Sequence, residues 1–413
     1  MPITTSTHPP KLKFTLVTET FKPEINGVAM TLGKIVDNLI KQCHQVQVIR
    51  PKQSSLDLPA NAPYLEEHLV GGISIPFYRQ LKLGLPAKNK LIKLWRKNKP
   101  DIVHIATEGP LGWSALQAAK QLKIPTISSF HTNFHQYSQH YGLGLLTQPI
   151  QAYLKHFHNE TLATLAPTQK LANELSTHGY RNVSVMARGV DTRQFNPAKR
   201  CAKLRQNWGI KKQDVVVLYV GRLAKEKNID LVIRAFAKIQ ASKPTAKLVF
   251  VGEGPLQEQL SKQCPQAIFA GSQRGESLAT HYASGDIFLF PSLTETFGNV
   301  VPEALASGLA LVAYDYAAAA QLIRHTQNGM LATFADETSF VKLAEQVASD
   351  ANLLNLCRTQ ARKSVQHLDW QSVSHSLEQH LYRLLDVQNT PTKRDKKAKR
   401  LKIKSQALNQ VAS

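Results

Sequence analysis

The stretch FLFPSLTETFGNVVPEALASG, residues 288–308, indicates how the second half of the chain folds. Its apolar start, residues 287–290, predicts a buried strand, because short apolar runs are typical of strands covered on both faces. A polar loop, residues 292–298, comes next. A helix follows, and Pro302 suits its first turn because the missing N–H would have no partner there. The stretch is therefore predicted to be a strand–loop–helix unit of an α/β fold.

Two carboxylates, eight residues apart, belong to this unit. Glu295 lies in the loop, and Glu303 lies in the first turn of the helix. A helix N-terminus entered through a glycine, here Gly298, presents N–H groups that bind phosphate. The pattern indicates a phosphate site with an acid on each side. The alternative is an ordinary crossover in which Glu303 merely complements the helix dipole.

Strands and helices alternate in both halves of the chain. In the first half, a strand at 12–17 is followed by a loop, a helix that begins at Gly27 and a second strand. A strand at 215–220 restarts this pattern. We therefore predict two doubly wound domains. The predicted segments are an N-terminal acceptor-side domain (1–195), a C-terminal donor domain (196–368), a last helix (369–388) and a basic disordered tail (389–413).

The formal charge of +22 over 413 residues permits nucleic acid, an anionic membrane or a phosphorylated substrate as partner. Two blocks, 79–99 and 393–404, carry eight basic residues each and are mostly lysine. A nucleic-acid-binding protein would use aromatic or arginine-rich contacts to bases, whereas these blocks are dominated by lysine and one is a tail, so we expect no specific nucleic-acid partner. There is no long uncharged apolar run, no signal-peptide pattern and no CxxC spacing, so we expect a cytoplasmic protein without a structural zinc site.

The segment at 87–100, AKNKLIKLWRKNKP, is amphipathic and basic. One interpretation is a surface helix of the α/β fold with a solvated basic face. The other is a helix that lies on an anionic bilayer, with Trp95 near the interface. The second interpretation adds a peripheral association with the inner face of the cytoplasmic membrane, to which the basic tail would contribute.

Cations are predicted at the carboxyl edge of the second sheet, where open α/β sheets bind ligands. Arg222 and Lys227 come directly after the strand at 215–220, and the glycines Gly252 and Gly298 are predicted to bring backbone amides to the same edge. Two cations and a helix N-terminus can hold a diphosphate without a metal. The predicted chemistry is departure of a diphosphate from a sugar, with the charge on the leaving oxygen met by these groups.

These motifs, taken in order, resemble family 4 glycosyltransferases, which are retaining enzymes of the GT-B fold. GRLAKEKNIDLVIRAF, which begins at Gly221, matches the GR…EK motif of that family. Glu295 and Glu303 match its E-x(7)-E motif, and Gly27 matches the glycine of its N-terminal donor loop. ARGVD, residues 187–191, matches its inter-domain turn. The resemblance covers residues 12–385 and implies two Rossmann-like domains that face across a cleft, with the last helix crossing back onto the first domain.

The resemblance also implies roles for single residues. Arg222 and Lys227 bind the donor diphosphate, Glu303 binds the nucleotide ribose, and Glu295 contacts the transferred hexose. His131, which follows a predicted strand and by itself could equally be structural, lies in the sugar site. The implied catalytic residues are Glu295, His131, Arg222 and Lys227, and the implied donor-binding residues are Gly27, Arg222, Lys227, Gly252, Gly298, Asn299, Val300 and Glu303. The family requires no metal or other cofactor.

Three further stretches, TETFKPEINGVAMTL, PDIVHIATEGPLG and SSFHTNFHQYSQHYG, resemble lipid-directed bacterial members of the family. These are GDP-mannose-dependent α-mannosyltransferases and sulfoquinovosyldiacylglycerol synthases. The implied function is transfer of a hexose, mannose from GDP-mannose first, to a membrane lipid or lipid-linked acceptor. The alternatives are a UDP-sugar-dependent glycolipid synthase of the sulfoquinovosyl or glucosyl type, a soluble-glycan synthase, or an epimerase of the same fold. The base, sugar, acceptor and oligomeric state stay open.

Overall fold

The computed structural model describes residues 10–24, 26–75, 78–131, 147–211 and 213–389. Ten strands lie in the first half of this described part: β1 (Lys13–Val17), β2 (Gln45–Pro51), β3 (Asn61–Ala62), β4 (Leu65–Val70), β5 (Gly72–Ile75), β6 (Tyr78–Gly84), β7 (Ile102–Ile105), β8 (Thr126–Ser129), β9 (Thr164–Ala166) and β10 (Val183–Val185). Eight of them form one sheet in the order β10-β9-β8-β7-β1-β2-β4-β3, parallel except where β3 meets β4. The other two, β5 and β6, form an antiparallel hairpin.

The second half contains a separate parallel sheet. Within the described residues its strands are β11 (Val216–Val220), β12 (Lys247–Val251), β13 (Ile268–Phe269), β14 (Ile287–Phe290), β15 (Ala310–Tyr314) and β16 (Gly329–Ala332). Their order, β13-β12-β11-β14-β15-β16, reverses direction at β11 and β14, as in a doubly wound fold. Every residue of β11, β14 and β15 is buried, which explains their uninterrupted apolar sequences. The prediction of two doubly wound, Rossmann-like domains is confirmed.

Helices connect the strands of both sheets. In the first half they are Gly27–Lys41, Lys88–Lys97, Pro110–Leu122, Thr147–Asn159 and Gln169–Thr177, and in the second half Ala202–Asn207, Ile229–Ser242, Gln257–Gln263, Gly275–Ser284, Val300–Ala306, Ala317–Leu322, Glu337–Ser349, Ala351–Val365 and Trp370–Asn389. A large buried cluster of the described residues surrounds β11, β12, β14 and β15. The helix predicted at the end of the chain is present. Its packing on the first domain stays a prediction, and the tail from residue 390 lies outside the described residues.

A buried charge cluster at Asp286 anchors the start of the second domain to its sheet. Asp286 precedes β14 and is only 4% exposed. Its carboxylate accepts the backbone N–H of Val216 at 2.9 Å and pairs with Arg200 at 2.8 Å, Arg205 at 3.0 Å and Arg358 at 3.1 Å. Because the carboxylate is so fully hydrogen-bonded, it can be buried as an ion.

The interfacial position predicted for Trp95 is wrong. In the Lys88–Lys97 helix, Leu91, Ile92 and Trp95 are buried, and the Trp95 indole N–H donates to Gln47 Oε1 at 3.1 Å. An indole that packs in the first domain and finds an acceptor there has no reason to enter a bilayer. The lysines and arginine on the opposite side of the helix are exposed, as the surface-helix interpretation expects.

Candidate active site

An ion pair between Lys227 and Glu295 forms the centre of the candidate site. Strands β11 and β14 are neighbours, so the loops that leave their carboxyl ends meet. Lys227 ends a short 3₁₀ turn after β11, and Glu295 lies five residues after β14. Lys227 Nζ pairs with Glu295 Oε1, which also accepts from Ser292 Oγ at 2.9 Å. Both side chains are mostly buried, with 18% and 15% of their surfaces exposed.

Arg222 lies closer to solvent than Lys227. Its side chain is 47% exposed, and its guanidinium is 3.9 Å from Glu226. Both cations therefore lie at the carboxyl edge of the second sheet, as predicted. Lys227 is held beside a carboxylate, whereas Arg222 lies largely in solvent.

The loop that carries Glu295 ends at Gly298, and the helix begins directly afterwards. Gly298 has φ +90°, a left-handed conformation that favours glycine and turns the chain into the helix. Asn299 is the N-cap position, and Val300 is the first residue of Val300–Ala306. The turn predicted between Glu295 and Glu303 is therefore present. Phosphate binding at the N-terminus of this helix stays a prediction.

Glu303 faces a tyrosine in the interior of the second domain. Tyr282 Oη donates to Glu303 Oε2 at 3.0 Å. Burial raises the pKa of Glu303 to about 7, and the hydrogen bond from Tyr282 offsets part of that rise. Glu303 therefore changes charge near neutral pH, unlike an ordinary surface glutamate.

Gly252 has a structural use that the sequence did not indicate. Its φ is +136°, and a Cβ there would lie 2.0 Å from the carbonyl oxygen of Gly221. Its N–H donates to Gly271 O at 2.8 Å, so the amide expected to face the donor already has a backbone partner. The need for glycine follows from the close approach of two chain segments. The donor-binding role of this residue stays a prediction.

Residues from both domains meet at His131, Arg188 and Asn299. His131 follows β8, and its carbonyl oxygen accepts from Thr296 Oγ1 at 2.7 Å. Arg188 Nη2 lies 3.3 Å from His131 Nδ1, and Arg188 Nη1 donates to Asn299 Oδ1 at 3.1 Å. Asn299 Nδ2 in turn donates to the carbonyl oxygen of Gly27 at 3.2 Å. Predicted site residues of the two halves, Gly27 and His131 on one side and Asn299 on the other, are thus brought together.

Arg188 is the functional candidate that the sequence analysis missed. It is only 4% exposed, and its guanidinium carbon lies 5.4 Å from the ring centroid of Phe297. Burial lowers its pKa to about 10, and Glu295 partly offsets this decrease, so the group stays charged at neutral pH. An arginine directly before the GVD turn between two predicted domains was a signal that could have identified it.

The described part of the chain was searched for metal-binding groups of side chains and for membrane-spanning helices. No three His, Cys, Asp or Glu side chains within it are grouped so that they could hold a metal ion. A helix with the length and apolarity required to cross a bilayer is likewise not found there.

Comparison with known proteins shows that this chain is a glycosyltransferase. Residues 202–364 match the glycosyl transferases group 1 family, and residues 25–194 match glycosyltransferase family 4. A GDP-mannose-dependent α-mannosyltransferase of Corynebacterium glutamicum is 32% identical over 89% of this chain and 88% of its own length. The sulfoquinovosyl transferase SQD2 of Arabidopsis thaliana is 29% identical over 74% of this chain and 61% of its own length.

Solved structures agree on the fold. Sucrose-phosphate synthase from Thermosynechococcus elongatus superposes with a TM-score of 0.74 at 18% identity, over 91% of this chain and 99% of that one. WaaG, a glycosyltransferase involved in lipopolysaccharide biosynthesis, superposes with a TM-score of 0.67 at 16% identity, over 89% of this chain and 99% of that one. The chain belongs to the family 4, group 1 glycosyltransferases, and the suspected family, the GT-B fold and hexosyltransferase activity are confirmed.

Proposed function

We propose that this glycosyltransferase moves mannose from GDP-mannose to a membrane lipid or lipid-linked acceptor, with retention of anomeric configuration. The observation that carries the proposal is the Lys227–Glu295 pair at the carboxyl edge of the second sheet, with a buried guanidinium and His131 nearby. The choice of donor is supported by GDP-mannose-dependent relatives from Corynebacterium glutamicum and Mycolicibacterium smegmatis, 32% and 33% identical.

The arrangement supports a division of roles. Lys227 and Arg222 would bind the diphosphate, and their positive charge would stabilise the negative charge that develops on the leaving oxygen. Glu295, released from its pair with Lys227 by the competing diphosphate, would then be able to bind a hydroxyl group of the hexose. The Glu303 carboxylate would accept a hydrogen bond from a hydroxyl group of the ribose. Attack of the acceptor on the face that the diphosphate leaves, with that diphosphate as base, would give retention.

We also propose that the reaction needs no metal ion. Lys227, Arg222 and Arg188 would supply the positive charge that a divalent cation supplies elsewhere. Activity measured with EDTA should therefore equal activity measured with Mg²⁺ or Mn²⁺. Loss of most of the activity in EDTA, with recovery on adding either metal, would contradict this part of the proposal.

Donor preference is tested by thermal stabilisation and by product analysis. A ligand present at 100 times its Kd stabilises the folded state by about 2.7 kcal/mol, so the true donor must raise the melting temperature. GDP-mannose should do so more than UDP-glucose, and labelled mannose should appear in a lipid extract. The Glu295→Ala variant should lose transfer while keeping most of the stabilisation by GDP. Transfer by Glu295→Ala at the wild-type rate would show that the sugar-site assignment is wrong.

A UDP-sugar-dependent glycolipid synthase is the second candidate. It is favoured by the similarity to SQD2 and to the α-monoglucosyldiacylglycerol synthase of Streptococcus pneumoniae, 26% identical over 73% of this chain. Stabilisation by UDP and not by GDP, with glucose or sulfoquinovose in the lipid product, would select this candidate over the first.

A lipid acceptor that lies in a membrane suggests a role for the exposed basic side of the Lys88–Lys97 helix. That side carries Lys88, Lys90, Lys93, Arg96 and Lys97, and Lys99 extends it. We propose that these residues, together with the basic tail, hold the enzyme on the anionic inner face of the cytoplasmic membrane by charge alone, without insertion of Trp95. Each lysine or arginine near such a surface contributes about 1 kcal/mol.

Vesicle sedimentation tests this surface. The Lys93→Glu/Lys97→Glu variant should bind anionic vesicles far less than wild type, and binding should fall with salt. A matched control, Lys203→Glu/Lys238→Glu, makes the same change of charge at exposed positions of the second domain and should keep most of the binding. Equal losses in both variants, or equal binding to neutral vesicles, would contradict the proposed surface.

A further inference from the structure

Arg188 can only donate hydrogen bonds, so a polar group that bonds to its guanidinium must accept. A guanidinium has five N–H donors and no acceptor, and it stays protonated at neutral pH. Nη1 donates to Asn299 Oδ1, and Nη2 lies 3.3 Å from His131 Nδ1. The contact with His131 therefore has one direction: Nδ1 accepts.

An accepting Nδ1 determines the state of the imidazole ring. A neutral histidine carries one proton, so a proton excluded from Nδ1 must lie on Nε2. The doubly protonated ring is excluded as well, because its Nδ1–H would point at a positively charged donor. Burial and the charge of Arg188 both lower the pKa of His131 well below its ordinary value, in agreement with this geometry.

Among the described residues, the Nε2–H that results has no hydrogen-bond partner. His131 is only 6% exposed, so this donor is buried. A buried donor left without an acceptor destabilises the folded protein. Such a cost is retained where a ligand supplies the acceptor.

We propose that Arg188 is a positioning residue that holds His131 as the neutral Nε2–H tautomer, so that Nε2–H donates to an oxygen of the bound nucleotide-sugar. This inference rests on the proposed donor site. The planar guanidinium suits the task because one rigid fork reaches His131 and Asn299 together. Asn299 itself is linked to Gly27, so the fork also connects the ring to the start of the Gly27–Lys41 helix.

Nitrogen NMR of the full-length, ¹⁵N-histidine-labelled protein tests the tautomer directly and needs neither donor nor activity. The His131 signal is identified by its loss in His131→Gln. In wild type we expect an unprotonated Nδ1 and a protonated Nε2 at neutral pH. In Arg188→Met, which removes the N–H donor, we expect a mixture of both tautomers. An unchanged His131 tautomer in Arg188→Met would overturn the proposal.

Two controls separate the effect from unfolding or from a general change of charge. Arg193→Met removes an exposed arginine from the same inter-domain segment and should leave the His131 signal as in wild type. The signals of His44, buried beside Leu12, and of His281, buried beside Trp208, should stay in place in Arg188→Met. If Arg193→Met shifts the His131 tautomer as strongly as Arg188→Met, the proposed direct contact is wrong.

Kinetics then tests whether the tautomer matters for transfer. Misplacing a group at a reacting centre can cost on the order of 100-fold, so Arg188→Met should lower kcat/KM by roughly 10–100-fold. In the His131→Ala background the same substitution should cost much less, because the residue through which it acts is gone. Fully additive losses would refute action through His131. If the wild-type protein shows the expected Nε2–H tautomer but no measurable mannose transfer from GDP-mannose, the result counts against the proposed donor and not against the role of Arg188.

Discussion

Glu303→Gln should make the free enzyme more stable at pH 8 while weakening its donor binding. The pKa of Glu303 is raised from 4.5 to about 7, chiefly by burial. The folded state therefore holds this proton more tightly than the unfolded state. The stability contributed by the neutral acid is fully present below pH 4.5 and is lost as the pH rises through 7. At 1.36 kcal/mol per pKa unit, the ionised carboxylate costs about 3 kcal/mol at pH 8.

Glutamine removes this cost without removing the hydrogen bond, because its amide oxygen can still accept from Tyr282 Oη. Thermal unfolding without donor should give nearly equal melting temperatures for wild type and variant at pH 4, below the unfolded-state pKa. At pH 8 the variant should melt about 6 °C or more above wild type, given 2–4 °C per kcal/mol for a domain of this size. The same difference at both pH values, or a variant that melts lower at pH 8, would refute the burial of an ionisable Glu303.

The gain in stability should be accompanied by a loss of function. A hydrogen bond to a charged group contributes roughly 1.5–3 kcal/mol, so loss of the predicted ribose contact should weaken GDP-mannose binding by roughly 10–100-fold. At a fixed donor concentration, the added stabilisation should then be smaller in the variant. If the variant is stabilised but its donor affinity is unchanged, Glu303 is a buried ionisable carboxylate, as argued, but the assignment of Glu303 to the ribose is wrong.

Three other substitutions test separate parts of the structure. Lys227→Met should lower kcat by about 10²–10³-fold, the usual cost of removing a donor to developing negative charge, whereas Lys225→Met, exposed in the same turn, should not; equal effects would contradict the assignment. Asp286→Asn should destabilise the protein by about 3–5 kcal/mol in urea unfolding, because it leaves buried arginines without their carboxylate; an unchanged midpoint would refute this. Gly252→Ala should reduce soluble yield and melting temperature, because its Cβ would lie 2.0 Å from Gly221 O; a normally stable variant with weak donor binding would favour the donor role.

The sequence predicted the second half of the site better than the contacts between halves. Lys227 and Glu295 follow strands that alternate with helices, so their loops were expected at one edge of one sheet, and β11 and β14 are in fact neighbours. Arg188 is 57 residues from His131 and 111 from Asn299, and no local pattern predicts which distant partner a linker residue meets. Such contacts depend on how two domains pack, which periodicity does not describe.

Some elements were missed for local reasons. Strand β9 has only three residues, Thr164–Ala166, and was not predicted because so short a run shows no periodicity. The sequence left the position of Trp95 open between two interpretations, because an amphipathic basic helix has the same pattern whether its apolar side covers a sheet or a bilayer. The acceptor that decides between them, Gln47, lies 48 residues away.

Two of the hydrogen bonds that the second domain donates to the first at the site end on main-chain oxygens. Thr296 donates to the carbonyl of His131, and Asn299 donates to the carbonyl of Gly27. Since every amino acid carries a carbonyl, these two contacts place no requirement on the side chains of the first domain. These two contacts can therefore persist when side chains of the first domain change, whereas the contact between Arg188 and Asn299 depends on the arginine itself.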